Sequence, residues 1–109
     1  DYCVLHQAND FIIKQICKKI KLPLEKCPIS IDRFGNTSSA SIPLSIVDLY
    51  DRKKEELPER INLITSGYGV GLSWGVADFA LNKKDILPMI YTSDYFKEAY
   101  KTLVPIPEN

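Results

Sequence analysis

The sequence predicts an α/β protein built on a mixed sheet, and three observations carry that prediction. Short apolar runs alternate with stretches of helical periodicity, in the order strand, helix, strand, helix, strand, strand. Polar or glycine-containing segments interrupt the chain where each early strand would hand over to the next element. The last two strands are joined by a short glycine-rich turn, which pairs them antiparallel, whereas strands joined through helices run parallel.

Each element has its own local signal. Asp1 to Leu5 reads as a short buried strand, Tyr2-Cys3-Val4-Leu5, and the polar stretch His6-Gln7-Ala8-Asn9 ends it. Asn9 or Asp10 caps the helix that follows. In that helix Ile13, Ile16, Cys17 and Ile20 recur at i, i+3, i+4 and i+7, one buried face. Lys14, Lys18, Lys19 and Lys21 lie mostly on the other faces, and Pro23 is the expected stop.

Cys27 to Ile31 reads as a second strand, with Pro28 near its start. The polar loop Asp32 to Ser39 contains Gly35, which permits a tight turn. A second helix is expected from about Ser38 to Arg52, with Ala40, Leu44 and Val47 on its inner face and Pro43 tolerated in an early turn. Lys53 to Glu59 is charged, contains Pro58 and reads as a solvated connection. Arg60 to Thr65 is the third strand, Ser66 to Gly71 a glycine-rich loop, and Leu72 to Leu81 the fourth strand. Asn82 to Asp85 ends it, and a last helix is expected from Ser93 to Leu103, before Pro105 and Pro107.

Composition narrows the function classes. Hydrophobic residues make up 45% and charged residues 26% of the 109, an ordinary globular balance. Fourteen basic side chains offset fourteen acidic ones, which favours neither nucleic acid nor a membrane surface as partner. No apolar run approaches the roughly 20 residues that span a bilayer. No leader is visible behind Asp1, and the absence of an initial Met points to a processed or shortened product. Cys3, Cys17 and Cys27 form no CxxC pair, so no metal site is expected. Their apolar neighbours favour reduced, buried thiols in a cytoplasmic protein.

Three features carry potential chemistry, because sites in open α/β sheets gather outside the carboxyl ends of the strands. His6 follows the first strand, Asn36 the second and the glycine loop the third. A histidine donates a hydrogen bond or shuttles a proton near neutral pH. An asparagine offers a neutral donor amide. A glycine loop lets backbone N–H groups approach a ligand, as an oxyanion hole requires. Taken singly, each reads more simply as structure. A lone histidine after a strand is usually a satisfied structural residue, and a loop asparagine is usually a turn or cap. The Gly67-x-Gly69-x-Gly71 run is not a nucleotide fingerprint, since a strand rather than a helix follows it.

Taken together, the motifs resemble a known family. His6-Gln7-Ala8-Asn9, then Gly35-Asn36-Thr37-Ser38-Ser39-Ala40-Ser41-Ile42-Pro43, then Gly67-Tyr68-Gly69-Val70-Gly71-Leu72-Ser73-Trp74-Gly75 occur in this order and spacing. They look like the C-terminal half of 3-oxoacyl-acyl-carrier-protein synthase III, a condensing enzyme of the thiolase fold. The resemblance covers Asp1 to about Leu81. It implies a partial C-terminal half of that fold over residues 1–81, lacking its own first strand and helix, with residues 82–109 as an extension.

The resemblance also implies a chemistry: decarboxylative condensation of acyl-CoA with malonyl-acyl-carrier protein, an acyltransferase step that starts fatty-acid or related chains without a resident cofactor. His6 and Asn36 would be the two donors that stabilise the enolate. A backbone N–H in Gly69-Val70-Gly71 would be one arm of an oxyanion hole. Asn9 would lie near the pantetheine tunnel, and Lys14, Lys18 and Lys19 would attract an acidic carrier protein. The family's nucleophilic cysteine belongs to the other, N-terminal half, and none of the three cysteines here matches it. These residues alone are therefore expected to be inactive, and unpaired apolar faces are expected to drive self-association or a rearranged packing that uses the tail.

Two departures stand out. Phe11 occupies the place of a basic residue that helps dock the carrier protein, and Val70 replaces a glycine often found in the loop. A second function class, a non-catalytic binding or scaffold piece that keeps the motif, stays open.

Overall fold

The computed structural model describes residues 1–94. Its core is a three-stranded mixed sheet in the order β1 (Tyr2–Leu5), β2 (Arg60–Gly69), β3 (Ser73–Asn82). β1 runs parallel to β2, with Tyr2 opposite Leu63 and Leu5 opposite Ser66. β2 and β3 form an antiparallel hairpin from Arg60 opposite Asn82 to Gly69 opposite Ser73.

Alternation along β1 assigns the two faces of the sheet. Val4, with Tyr2 beside it, packs with Ile61, Leu63, Leu57 and Ile86 against Ile42, Ile46 and Leu49 of α3 (Ser41–Lys53). Leu5, with Cys3 beside it, packs on the other face against Ile13 and Cys17 of α1 (Asp10–Lys19). The sheet is thus covered by one helix on each face, as expected of an α/β fold.

Helix α1 starts where the sequence placed it. Asn9 is extended, and its Oδ1 accepts the Phe11 N–H at 2.8 Å. Asp10 in the first turn and Lys18 and Lys19 in the last complement the helix dipole. Pro23 is not what stops it. Lys21 adopts a left-handed φ of 57°, and Leu22 N–H reaches back to Cys17 O at 2.9 Å while Lys21 N–H reaches Lys18 O. This is a Schellman closure made by a lysine, an uncommon residue at that position.

The expected second strand at Cys27–Ile31 does not form. A 3-10 turn at Leu24–Lys26 leads into an irregular segment, then a short helix, α2 (Ile31–Phe34). Two physical reasons account for this. Pro28 has no N–H to give to a ladder. The neighbouring polar groups are taken by one side chain, the buried Gln7 carboxamide. Its Oε1 accepts from Ser30 N at 2.9 Å and Ile31 N at 3.2 Å, and its Nε2 donates to Leu5 O at 2.8 Å and Pro28 O at 3.4 Å. The sheet consequently has one strand fewer than the sequence predicts.

The second long helix is also displaced. A 3-10 turn at Ser38–Ala40 precedes α3, which begins at Ser41. Its buried face is Ser41, Ser45, Asp48 and Leu49, whereas Ala40 is exposed and Leu44 and Val47 are half-buried. The polar members of that face are all paired. Ser45 Oγ meets Ser30 Oγ at 2.8 Å. Asp48, 1% exposed, accepts a two-pronged contact from Arg33 and a further bond from Arg52 Nε at 3.1 Å. That pairing holds the Arg33 guanidinium above its ordinary pKa, chiefly through the Asp48 hydrogen bond.

Much of the glycine-rich segment is strand. β2 runs on through Gly69, and only Val70–Leu72 turns, with Gly71 at φ 78°. β3 is an edge strand whose Trp74 and Val76 are 78% and 62% exposed. Of the expected last helix, Ser93 and Asp94 have no regular structure, and the remainder lies outside the described residues. Among the described residues, no helix is long and apolar enough to cross a membrane.

The expectation of three reduced cysteines is corrected. Cys17 on α1 and Cys27 after the 3-10 turn are paired as a disulfide across the smaller core, with Cα atoms 7.0 Å apart. Cys3 remains free. A sequence separation of 10 hid this pairing, because only the fold-back after α1 brings the two together.

Replacing Gln7 by Met keeps the volume but strands four backbone groups. The variant is expected to lose on the order of 2–3 kcal/mol, read from the urea midpoint at unchanged slope. A loss below about 0.5 kcal/mol would show that the segment closes without the amide. Titration of thiols in the denatured, unreduced protein should give one per chain, rising to the full three after reduction; three before reduction would mean that Cys17 and Cys27 pack as thiols.

Candidate functional site

The site forms where β1 ends. His6 is the first residue beyond that strand, and its N–H still bonds to Ser66 O of β2 at 2.9 Å, which holds the histidine backbone to the sheet. Gln7 follows with its side chain locked inward, so the His6 imidazole projects away from the core. Its Nδ1 lies 2.6 Å from Ser41 Oγ, at the start of α3. The Tyr68 ring of β2 stands edge-on to the imidazole, 5.3 Å between centroids, and its hydroxyl donates to His6 O at 3.4 Å. Burial pushes the Tyr68 phenol pKa up, which keeps that hydroxyl a donor.

Around the imidazole is an open recess of about 270 Å³ lined by His6, Ser38, Ser39, Ser41, Ile42, Gly67 and Tyr68. It draws on the end of β1, the entry to α3 and the β2 strand. One wall is polar hydroxyl and the other aromatic and backbone.

The other sequence-derived candidates fall at different places. Asn36 is exposed and outside that lining, but its Oδ1 accepts the N–H of recess-lining Ser38 at 2.9 Å. With the oxygen so engaged, the Nδ2 end of the amide is presented as donor. Gly69, Val70 and Gly71 form the hairpin tip, with Val70 99% exposed, whereas the recess is lined from the same strand by Gly67 and Tyr68. Asn9 is exposed and serves as the cap of α1. Lys14, Lys18 and Lys19 are exposed on α1, and Lys14 is bound to Asp10 at 2.6 Å. Lys18 and Lys19 flank a shallow depression with Phe11, Ile12, Gln15 and Ile16.

Cys3, the free thiol, is unsuited to nucleophilic work. Burial in β1 raises its pKa, the opposite of what a reactive thiolate needs. Ser41 and Tyr68 are the residues that sequence reasoning missed. Both were inside recognised motifs, but a serine at a helix start and a tyrosine in a glycine run carry no signal until the fold sets them against His6.

Comparison with known proteins bears on the family and the fold. Residues 1–80 match the family described as 3-oxoacyl-[acyl-carrier-protein] synthase III C terminal. A beta-ketoacyl-[acyl-carrier-protein] synthase III of Rubrobacter xylanophilus is 47% identical over 73 residues, which is 67% of this chain and 22% of that protein. One from Streptococcus pyogenes is 43% identical over 75 residues, 69% of this chain and 23% of that protein. Among solved structures, a 3-oxoacyl-(acyl-carrier protein) synthase from Burkholderia xenovorans superposes with a TM-score of 0.73 at 45% identity, covering 84% of this chain and 26% of that one. A synthase III from Thermus thermophilus gives 0.68 at 34% identity, covering 75% and 25%. The chain thus spans about a quarter of the length of the proteins it matches, and its fold is the matching portion of the thiolase-like arrangement.

Proposed function

Because this chain belongs to the family of 3-oxoacyl-acyl-carrier-protein synthase III C-terminal domains, we propose that it supplies the enolate-stabilising part of a decarboxylating condensing enzyme. The observation that carries this reading is His6. It lines the recess at the carboxyl end of β1 with Nδ1 engaged by Ser41, which leaves Nε2 as the ring nitrogen available to a ligand.

The chemistry follows from that placement. A cysteine thiolate in the other half of the enzyme takes an acyl group from acyl-CoA as a thioester and releases CoA. Malonyl-acyl-carrier protein then loses carbon dioxide, and the electron pair of the broken C–C bond passes into its thioester carbonyl. Charge develops on that oxygen. A neutral His6 N–H and the Asn36 amide stabilise it, as fixed donors do at an oxyanion. The carbanion form attacks the acyl-cysteine carbon and the thiolate departs. A backbone N–H among Gly69, Val70 and Gly71 serves the tetrahedral oxygen of that second step. No resident cofactor or metal is needed, since the leaving carbon dioxide drives the carbon–carbon bond formation.

Partners follow from the same reading. Residues 1–81 are the condensing-enzyme portion and 82–109 an extension. Asn9 lies along the pantetheine arm. The carrier protein docks by its acidic surface on Lys18 and Lys19, with exposed Phe11 and Ile12 providing apolar contact between the charges; Lys14, already held by Asp10, contributes less. The exposed Val70, Leu72, Trp74 and Val76 side chains pack against the cysteine-bearing half and a second subunit. The compartment follows from the family reading as the cytoplasm, although the Cys17–Cys27 disulfide removes the support that reduced thiols gave it, and the chain alone is inactive because none of its three cysteines suits the nucleophile's role.

Two experiments bear on this. In the full-length protein, His6→Ala and Asn36→Ala should each slow malonyl decarboxylation by about 10²- to 10³-fold, measured as carbon dioxide release. Unchanged rates in both would leave a non-catalytic binding role as the better reading. Charge reversal at Lys18 and Lys19 should raise KM for malonyl-acyl-carrier protein, more at low salt than at high, and leave KM for acyl-CoA alone. Equal effects on the two substrates would remove the docking surface from α1.

A further inference from the structure

We propose that Ser41 is a positioning residue that fixes the neutral His6 imidazole as the tautomer with its proton on Nε2. This deepens the reading of His6 as an enolate donor and rests on it for its catalytic consequence, though not for the tautomer itself.

The argument is one of donors and acceptors. Gln7 N–H can only donate, and it points at Ser41 Oγ from 3.4 Å. That contact takes one of the oxygen's two lone pairs; were the second to accept from Nδ1–H, the hydroxyl proton would be left without an acceptor, since among the described residues the Ser41 hydroxyl meets no other partner. The acceptor at hand is His6 Nδ1, 2.6 Å from the same oxygen. A nitrogen that accepts a hydrogen bond carries no proton, so in the neutral ring the proton must sit on Nε2. The relay therefore runs from the Gln7 amide to the Ser41 hydroxyl to His6 Nδ1, and leaves Nε2–H as the ring's donor at a residue that lines the recess.

The surroundings hold the relay rigid. Ser41 is 2% exposed at the first turn of α3, and Gln7 is 1% exposed, so bulk water does not compete for the hydroxyl. The Tyr68 ring against the imidazole restricts rotation about the ring axis, which would otherwise exchange the two nitrogens. Three parts of the fold thus converge on one proton: the end of β1, the entry to α3 and β2. The arrangement has the logic by which a metal-bound or catalytic histidine is oriented by the partner of its other nitrogen.

The test exploits the single histidine of this chain. Long-range ¹H–¹⁵N spectra of ¹⁵N-labelled protein, at a pH where the ring is neutral, report the protonation of each nitrogen. The native chain should show one tautomer, with Nε2 protonated and Nδ1 shifted as an acceptor. Ser41→Ala should give a mixture or the opposite tautomer, and Ser41→Thr, which keeps the hydroxyl, should restore the native pattern. Backbone amide spectra establish that each variant is folded, and the threonine variant serves if the alanine variant is not.

In the full-length protein, Ser41→Ala should lower kcat for malonyl decarboxylation about tenfold or more with KM little changed, short of the loss on removing the imidazole. A folded alanine variant that keeps the native tautomer and rate overturns the proposal, as does a native spectrum with the proton on Nδ1. A changed tautomer in a protein whose decarboxylation does not need His6 would uphold the relay and reject the enzymatic reading instead.

Discussion

One buried carboxamide organises this fold. Gln7 bonds the last carbonyl of β1 to the backbone around Pro28, Ser30 and Ile31, four contacts from a single side chain that is 1% exposed. A buried polar group left unpaired costs about 1–3 kcal/mol, so an amide with both ends satisfied ties its partners to one geometry. The return from α1 is anchored without a strand, and α2 begins where the amide releases the chain. His6 leaves the sheet at a set angle because its successor cannot turn outward. The His6 side chain is set by the residue beside it, which is not among the residues lining the recess.

A second polar layer follows from the first. Since the Gln7-bound segment delivers Ser30 and Arg33 toward α3, that helix buries Ser45 and Asp48 against them. A helix facing only a sheet would bury its leucine and valine side, but α3 faces both the sheet and this segment. Ile42, Ile46 and Leu49 serve the sheet, while Ser41, Ser45 and Asp48 serve the segment and the site. Ser41 lies in the same stripe, one turn before Ser45, which is why it arrives beside His6. The face that gives α3 its packing also gives the imidazole its partner.

The exposed edge of the molecule tells the complementary story. β3 satisfies one side of its backbone with β2 and leaves Trp74 and Val76 to the outside, next to Val70 and Leu72 of the hairpin turn. Apolar side chains in a row on an edge strand invite a partner. The matching proteins are about three times as long as this chain, and the recess at His6 is open to the outside. Both surfaces fit a domain completed by further structure.

Local patterning settled a good deal of this protein unaided. The alternation of apolar runs and helical stretches determined an α/β sheet, the cap at Asn9 determined where α1 starts, and the short glycine turn determined the hairpin. Three motifs in register pointed to the family and to His6. Those signals are legible because each depends on neighbours within a few positions. What only the tertiary structure decided depends on residues far apart: the loss of the second strand to a side chain 21 positions away, the polar face of α3, the Cys17–Cys27 pairing, and above all the Ser41 hydroxyl on the histidine across 35 positions. A hydrogen bond between distant residues leaves no periodicity for the sequence to display, and it was such bonds that brought the motif residues together around one recess.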